Sequence, residues 1–529
     1  MSMQISRGIV HSKNGGVAAS QPLAVSAALN ILQRGGSCID AGIAASAVLI
    51  VVEPSCSHLG GDAFLVVHDA KTRKNTAFNG SGESPHNATA LEFASGIPKH
   101  GFRAGTVPGL VSTWFAAHQS FGRLPMAELL QPAINYAKSG FPANADFVKR
   151  IQDFLKINPE SKLFETLGIS TELSDGDIVI QKELANSLTL IAEQGRDVFY
   201  KGEIAKKIIE ATNGWFNSAD FAAHKTRVTD PISAKYRELT IHGQPPPSQG
   251  MILIEELLLA SGVDLKKISE ADRIHLLVEI KKLAFEDRNR VLADPEKRKV
   301  ALDEIFAKEH IEKRRAQINM KLANNGNSKV GEEGNDTTYF LVADGDGNAV
   351  SWIQSLFAGF GSGWAVPGTG IILNNRLTGF SLNPDSPNII EPGKRPAHTL
   401  NAWLATNEDD SLAFVGGTPG GHVQVQTNLQ VIVNLVDLKM NVQEAIEAPH
   451  WQHLSETGQA GAEEATFGTL EIENRVNAET IAELKSRGHI VKELEPWDHA
   501  SRVQLMQRYP NGTMAFGSDP RSAGQAAGV

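Results

Sequence analysis

The stretch EEGNDTTYFLVADGDGNAVSWIQS, residues 332–355, decides the reading of this chain. It passes from a loose acidic segment into two threonines, an apolar strand, a tight turn and a second strand. TTYFLVAD and NAVSWIQS are rich in the β-branched and aromatic residues that suit a pleated, half-buried surface. The DGDGN run at 344–348 puts Gly345 and Gly347 where a hairpin turn draws on positive φ. Asp344, Asp346 and Asn348 share the opening spacing of a calcium loop. That loop needs glycine sixth and glutamate twelfth, and here those positions are Ala349 and Ser355. The stretch is therefore a hairpin opening at Thr337, directly after residues 321–336, KLANNGNSKVGEEGND, the clearest linker in the chain.

A break at that point is either a domain boundary or a cleavage point. A threonine hydroxyl is a weak nucleophile without a base, but at a chain N-terminus its own α-amine serves as one. An internal threonine reaches that state only if the preceding peptide bond is cut. Its hydroxyl can attack that bond, through an ester, where the backbone holds the carbonyl close and strained. Asp336-Thr337, where a loose loop meets a stiff strand, has suitable surroundings.

The rest of the chain sets limits. Its 529 residues are enough for roughly three average domains, and 41% hydrophobic content supports large cores. A net charge of −10 argues against a nucleic-acid or anionic-membrane surface. KRRAQINMK, residues 313–321, reads as the solvated end of a helix. The N-terminal MSMQISRGIVHSKNGG lacks the apolar run of a secretory signal. Ala41–Val52 is too short to span a bilayer and reads as a buried helix. A cytoplasmic protein without membrane or nucleic-acid partners is expected. Cys38 and Cys56, the two cysteines, imply no disulfide framework and read as packed thiols.

Residues 20–34 read as a helix capped by Ser20, with Pro22 in its first turn and Gly35-Gly36 at its end. AFLVVHD (63–69) and KNTAFNG (74–80) read as paired strands. Helical periodicity dominates residues 109–315. Beyond Thr337, GIILNN (370–375) and SLAFVGG (411–417) read as strands, NLQVIVNLVDLK (428–439) as a helix, and the remainder as mixed α/β.

TTYFLVADGDGNAVSWIQS, GFGSGWAVPGTGIILNNR (359–376), PGKRPAHT (392–399) and GGTPGGHVQVQTNLQ (416–430) together resemble the small subunit of the gamma-glutamyltranspeptidase family. AASQPLAVSAALNILQRGGSCIDAGIAASAVL (18–49), HLGGDAF (58–64), TVPG (106–109) and GSDPRSAG (517–524) extend the resemblance from about residue 8 to the C-terminus, in the family's motif order. The resemblance implies an α+β fold, a four-layer αββα sandwich of the N-terminal-nucleophile hydrolase type with two antiparallel sheets between helical layers. It also implies self-cleavage into a large subunit, 1–336, and a small one, 337–529, which stay associated as one αββα unit. No cofactor or metal is implied, the expected partner is a small-molecule amide substrate, and pairing of two such heterodimers is left open.

By the same resemblance, Thr337 is the nucleophile and Asp336-Thr337 the cleaved bond. Ser355 stands where typical members have a threonine that orients the nucleophile, and keeps the hydroxyl. Gly420 and Gly421 match the pair whose amides form the oxyanion hole, with His422 supporting them. Thr338 falls on the other strand face, in a structural role.

The recognition residues depart from the family pattern. Glu83 stands near the expected arginine that holds the glutamyl carboxylate, and His398-Thr399 replace two serines. Gly379 replaces the acid that holds the α-amine, Arg376 is an unusual cation, and Phe357 replaces an asparagine. The span FSLNPDSPNIIEP, 380–392, is shorter than in members with a lid loop, as in the family's acylase-like branch. Arg376 is expected either to pair with an acyl carboxylate or to form an ion pair with a neighbouring acid. Arg103 has the same two readings. His450 and His453 in HWQH have metal-like spacing but no carboxylate or cysteine partner, so no metal is expected.

Three functions follow for testing. The first is a self-processing threonine amidohydrolase acting through an acyl-enzyme on Thr337. The second is a true gamma-glutamyltransferase or glutathione hydrolase. The third is an unprocessed, non-enzymatic binding protein, which the intact Asp336-Thr337 junction, Ser355 and the glycine pair argue against.

Overall fold

The computed structural model describes residues 6–324, 336–454 and 468–529. Most of the expected linker, 325–335, lies outside these residues.

The hairpin of 336–357 forms the middle of a seven-stranded sheet. In spatial order its strands are Gln525–Gly528, Gly15–Ala19, Asp336–Asp344, Ala349–Phe357, Asp62–Asp69, Lys74–Asn79 and Arg227–Thr229. Every neighbouring pair is antiparallel. The second sheet runs Val10–Ser12, Met514–Ser518, Gln504–Arg508, Leu412–Gly417, Trp403–Thr406, Leu239–Gly243, Ile232–Tyr236, again antiparallel throughout.

Strand alternation sorts the side chains into layers. Tyr339, Leu341, Phe64, Val66 and Ile353 face the other sheet, where they meet Leu404, Val415, Met506 and Phe516. Phe340, Val342, Trp352, Leu65 and Val67 face the opposite way, into a core shared with the helices Pro22–Gln33, Cys38–Val52 and Leu110–Phe121. The outer face of the second sheet (Ile241, Trp403, Ala405, Leu505) packs on Gly250–Ala260, Glu270–Val291 and Val423–Val436. The result is the αββα order of layers. Every residue of Cys38–Val52 is buried, and each Val, Leu or Ile so placed contributes roughly 1.5–3 kcal/mol.

Several local expectations change. The first helix begins at Pro22 and is capped by the Gln21 side chain, not by Ser20, because the Ser20 hydroxyl bonds Glu53 and Thr338 instead. In the DGDGN turn Gly347 takes φ +91°, while Gly345 does not take positive φ. GIILNN contributes only the two-residue strand Ile371–Ile372. The region 109–315, expected to be helical, also holds Arg227–Thr229, Ile232–Tyr236 and Leu239–Gly243. The first two are edge strands, and their weakly buried side chains leave only a faint alternation. At the helix end near 313, Arg314 is bound to Asp287 and Glu286, and Arg315 to the Leu258 and Leu259 carbonyls, so these cations pin the helix rather than merely solvate it.

Cys38 and Cys56 are buried and unpaired, and burial pushes the Cys56 thiol up to about 12. No helix among the described residues is long and apolar enough to cross a membrane.

Candidate active site

In the central hairpin Thr337 lies opposite Ser355, but Asp336 lies opposite Phe357, so Leu356 is an extra residue in its strand. Such a bulge bends the strand and takes backbone groups out of the ladder. Leu356 accordingly donates its N–H to the Cys56 carbonyl at 3.0 Å, and its own carbonyl accepts from Asn375 N–H at 3.2 Å. Phe357 absorbs the distortion at φ +86°, a conformation that strains a non-glycine residue by the order of 1–3 kcal/mol. The irregularity sits at the Asp336-Thr337 bond.

Ser355 Oγ is the hub of this junction. It accepts from Thr337 Oγ1–H at 3.0 Å and from Phe357 N–H at 2.8 Å. It donates to the Asp336 carbonyl at 3.0 Å. One donation and two acceptances use the full capacity of a hydroxyl, so its orientation is determined. Thr337 and Ser355 are both buried. Thr338 points to the helical face and meets Ser20 Oγ at 2.8 Å, as strand alternation requires.

The same row continues to Asp62, which lies opposite Ser355 on the next strand. Asp62 Oδ2 is 3.1 Å from His398 Nε2 and 3.4 Å from Arg376 Nε, and Asp62 Oδ1 accepts from Gly82 N–H at 3.1 Å. All three side chains are fully buried. Burial raises the Asp62 carboxyl to about 6, against the pull of Arg376. It lowers Arg376 to about 10 and holds His398 well below the usual imidazole range, hence neutral at pH 7. The Arg376 guanidinium lies 4.3 Å over the Phe357 ring. Its contact with Asp62 is an ion pair outside hydrogen-bond geometry, which leaves its three nitrogens without a hydrogen-bond partner among the described residues. Of the two readings of Arg376, the geometry contains the pair with a neighbouring acid.

Glu83 belongs to an adjoining group rather than facing an open pocket alone. Arg395 grips one of its oxygens with Nε at 2.9 Å and Nη2 at 2.6 Å, and His224 Nδ1 meets the other at 2.7 Å. Burial opposes ionisation of Glu83, but these two partners outweigh it and hold the carboxyl well below its usual range. The expectation of an anion standing where a cation should be is thus half the picture, since Arg395 comes with it.

Thr399 is placed by its backbone. Its carbonyl accepts from Gln249 Nε2 at 2.7 Å, and the same amide donates to the Gly421 carbonyl at 2.9 Å. Gln249 Oε1 lies 3.2 Å from His422 Nδ1. Gln249 therefore joins the 398–399 segment to the glycine pair. Gly420 and Gly421 have φ +122° and +53°, the first accessible in practice to glycine alone. They precede the helix Val423–Val436, whose positive dipole end favours negative charge. Among the described residues neither glycine N–H donates a hydrogen bond to the protein. Gly417, three residues earlier, packs so tightly on the Tyr339 ring that a Cβ would collide with it, which brings this segment over the strand Asp336–Asp344.

Arg103 is ion-paired with Glu92 at the surface and lies 5.1 Å over the Trp215 ring. His450 bonds Ser501 Oγ at 2.8 Å. Two other groupings have ligand-type side chains close together, His275/Glu279/His489 and Glu255/Asp287/His310. In each a carboxylate is already held by a cation, Glu279 by Lys282 and Asp287 by Arg314.

Asp62, Gln249 and Arg150 are site residues that the sequence did not single out. Arg150, on the helix Ala145–Ile157, is ion-paired with the Asp336 carboxylate. Asp62 carried one signal, an acid heading an otherwise apolar strand.

The chain resembles known proteins along nearly its whole length. Residues 24–529 match the family model for gamma-glutamyltranspeptidase. The chain is 36% identical over 524 residues to the glutathione hydrolase-like YwrD proenzyme of Bacillus subtilis, covering 96% of this chain and 97% of that one. It is 32% identical over 537 residues to the oxamate amidohydrolase proenzyme of Klebsiella pneumoniae, with 98% and 100% coverage. Its fold superimposes on the crystal structure of cephalosporin acylase from Bacillus halodurans with a TM-score of 0.91 at 33% identity, over 100% of this chain and 98% of that one. With the matched motifs, the αββα layers and the hairpin that opens at Thr337, these likenesses show that the chain belongs to the gamma-glutamyltranspeptidase family of enzymes.

Proposed function

We propose that the chain is a proenzyme that cuts itself at Asp336-Thr337 and then hydrolyses small-molecule amides through an acyl-enzyme on Thr337. One observation carries this reading: the Ser355 hydroxyl touches both the Thr337 hydroxyl and the carbonyl of the bond to be cut. In processing, Thr337 Oγ1 adds to the Asp336 carbonyl carbon while Ser355 donates to its oxygen. The C–N bond breaks, the nitrogen takes the hydroxyl proton, and an ester remains. Water cleaves that ester, leaving the Asp336 carboxylate as the end of a large subunit, 1–336, and Thr337 as the start of a small one, 337–529. In turnover the freed α-amine takes the hydroxyl proton as Oγ1 attacks the substrate amide. Gly420 and Gly421 N–H groups at a helix N-terminus are suited to the oxyanion.

Hydrolysis of an amide other than a gamma-glutamyl one is favoured by the wall around the row. Gly379 supplies no acid for an α-amine, and the cations Arg376 and Arg395 stand behind Phe357 and Glu83. Gamma-glutamyl transfer is the second reading, supported by the family itself.

Intact mass spectrometry tests the first step. The wild type is expected to separate under denaturing conditions into 1–336 and 337–529, and Thr337→Ala to remain whole and inactive. Ammonia release from a panel of primary amides tests the second. A processed, active alanine variant would place the nucleophile elsewhere.

A further inference from the structure

Asp336 does two things in this precursor. Its carbonyl is the one Ser355 contacts, and its side-chain carboxylate is ion-paired with Arg150. Arg150 also donates from Nε to Asp146 Oδ2 at 2.7 Å, one turn earlier on the same helix. On its other side the Asp336 carboxylate rests against bare backbone: a Cβ at Gly359 would come within 2.5 Å of Asp336 Oδ2. A guanidinium and a glycine thus form a cradle around a carboxylate joined to the reacting carbonyl. Arg150 and Asp336 remain partly accessible, at 30% and 26%. Arg376, by contrast, is sealed beside Asp62.

The chemistry of processing gives this cradle a meaning. In the ester intermediate the acyl group on Thr337 Oγ1 is the aspartyl of residue 336. Its carboxylate stands two carbons from the ester carbon, the skeleton of a succinyl group. Turnover puts a substrate acyl group on the same oxygen. Once Asp336 has left the site, Arg150 retains Asp146 but has lost the partner that approached from the nucleophile's side.

Building on the reading of Thr337 as nucleophile, we infer that Arg150 selects the substrate's acyl group. It binds a carboxylate two carbons from the scissile carbonyl, so the enzyme prefers monoamides of four-carbon dicarboxylic acids. The Asp336 side chain is the precursor's stand-in for that carboxylate. Arg150 acts in specificity, through a fork of donors matched to a carboxylate, and not in bond breaking.

The test compares succinamate with butyramide, its uncharged counterpart of equal chain length, by ammonia release from the processed wild type. Succinamate is expected to have the higher kcat/KM by on the order of tenfold or more, the effect of one charge-assisted hydrogen-bonded pair. In Arg150→Gln that ratio is expected to fall close to one, mainly through the KM for succinamate, and Arg150→Lys to recover part of it. Mass spectrometry of each variant shows whether it is processed. If Arg150→Gln is not, the wild-type ratio and the Arg150→Lys ratio decide. Succinate titrated against the processed wild type by calorimetry reads the same cradle without turnover, and its binding is expected to weaken with Arg150→Lys. A wild type indifferent to the carboxylate, or an Arg150→Gln enzyme that keeps the preference, overturns the assignment while leaving Thr337 chemistry intact. Processed protein that binds succinate but releases no ammonia would instead count against the proposed activity alone.

Discussion

Ser355 Oγ and Thr337 Oγ1 stand 3.0 Å apart on facing strands, and the serine hydroxyl in turn donates to the Asp336 carbonyl. In the proposed mechanism this one side chain orients the attacking oxygen and polarises the attacked bond. Ser355→Ala removes both effects but leaves the strands paired. Self-cleavage and subsequent turnover are expected to slow together, each by roughly ten- to a hundredfold, the equivalent of about 1–3 kcal/mol. Time-resolved mass spectrometry and ammonia release measure the two rates. Wild-type rates for both would remove Ser355 from the mechanism.

Gly420 holds φ +122° directly before Gly421 and the helix Val423–Val436. Alanine cannot adopt that backbone without strain, so Gly420→Ala is expected to turn the amides away from the developing oxyanion. The loss in kcat should be on the order of 10²–10³-fold, with a melting temperature lowered by only about one degree, the effect of about 1 kcal/mol in backbone strain on a chain of this length. An equal fall in stability and activity, with kcat per folded molecule unchanged, would argue for a purely structural turn.

Arg376 and Asp62 are fully buried and each compensates the other's charge. Arg376→Gln leaves the carboxylate beside neutral His398 alone, and breaking a buried pair in this way costs about 3–5 kcal/mol. The variant's main phenotype at pH 7 is therefore expected to be a lower denaturation midpoint. Asp62→Asn combined with Arg376→Gln should recover part of the loss. A single variant as stable as the wild type would show that the pair carries little energy.

Asp62 also predicts a pH dependence. Its folded-state value is raised to about 6 by burial, above the ordinary aspartate value near 4. A raised acid stabilises the fold in its protonated form. That contribution is fully present below about pH 4 and is lost as pH rises through about 6. The two-unit shift corresponds to up to about 3 kcal/mol. Asp62→Asn imitates the protonated form, so its stability relative to the wild type should rise between pH 4 and pH 6.5. Urea denaturation at several pH values measures this, and a pH-independent difference would rule out titration of Asp62 in that window.

Much of the candidate site was legible along the chain because its motifs are contiguous. Thr337 sits at a linker–strand junction, Ser355 lies near the end of the partner strand of the same hairpin, and Gly420-Gly421 precede a helix. The helix Cys38–Val52 and the hairpin turn follow from apolar runs and glycine placement. What failed was either weakly patterned or contested. The strands Arg227–Thr229 and Ile232–Tyr236 have exposed faces that blur alternation. Ser20 was a good N-cap lost to a better bond with Thr338 and Glu53.

By itself the sequence determined the family, the central hairpin and the fold class, since these rest on contiguous motifs and on short-range periodicity. Tertiary structure alone decided which charges meet. Arg395 lies beside Glu83, 312 positions away, Arg376 lies beside Asp62, and Arg150 lies beside Asp336, 186 positions away. No local rule relates such residues, because a side chain's pKa and partner depend on burial and on neighbours that only chain folding brings within a few ångströms. The register shift at Asp336-Thr337 is of the same kind. One extra residue, Leu356, is bonded to Cys56 and Asn375 from distant segments, and it is this bond pattern that aims Ser355 at the carbonyl.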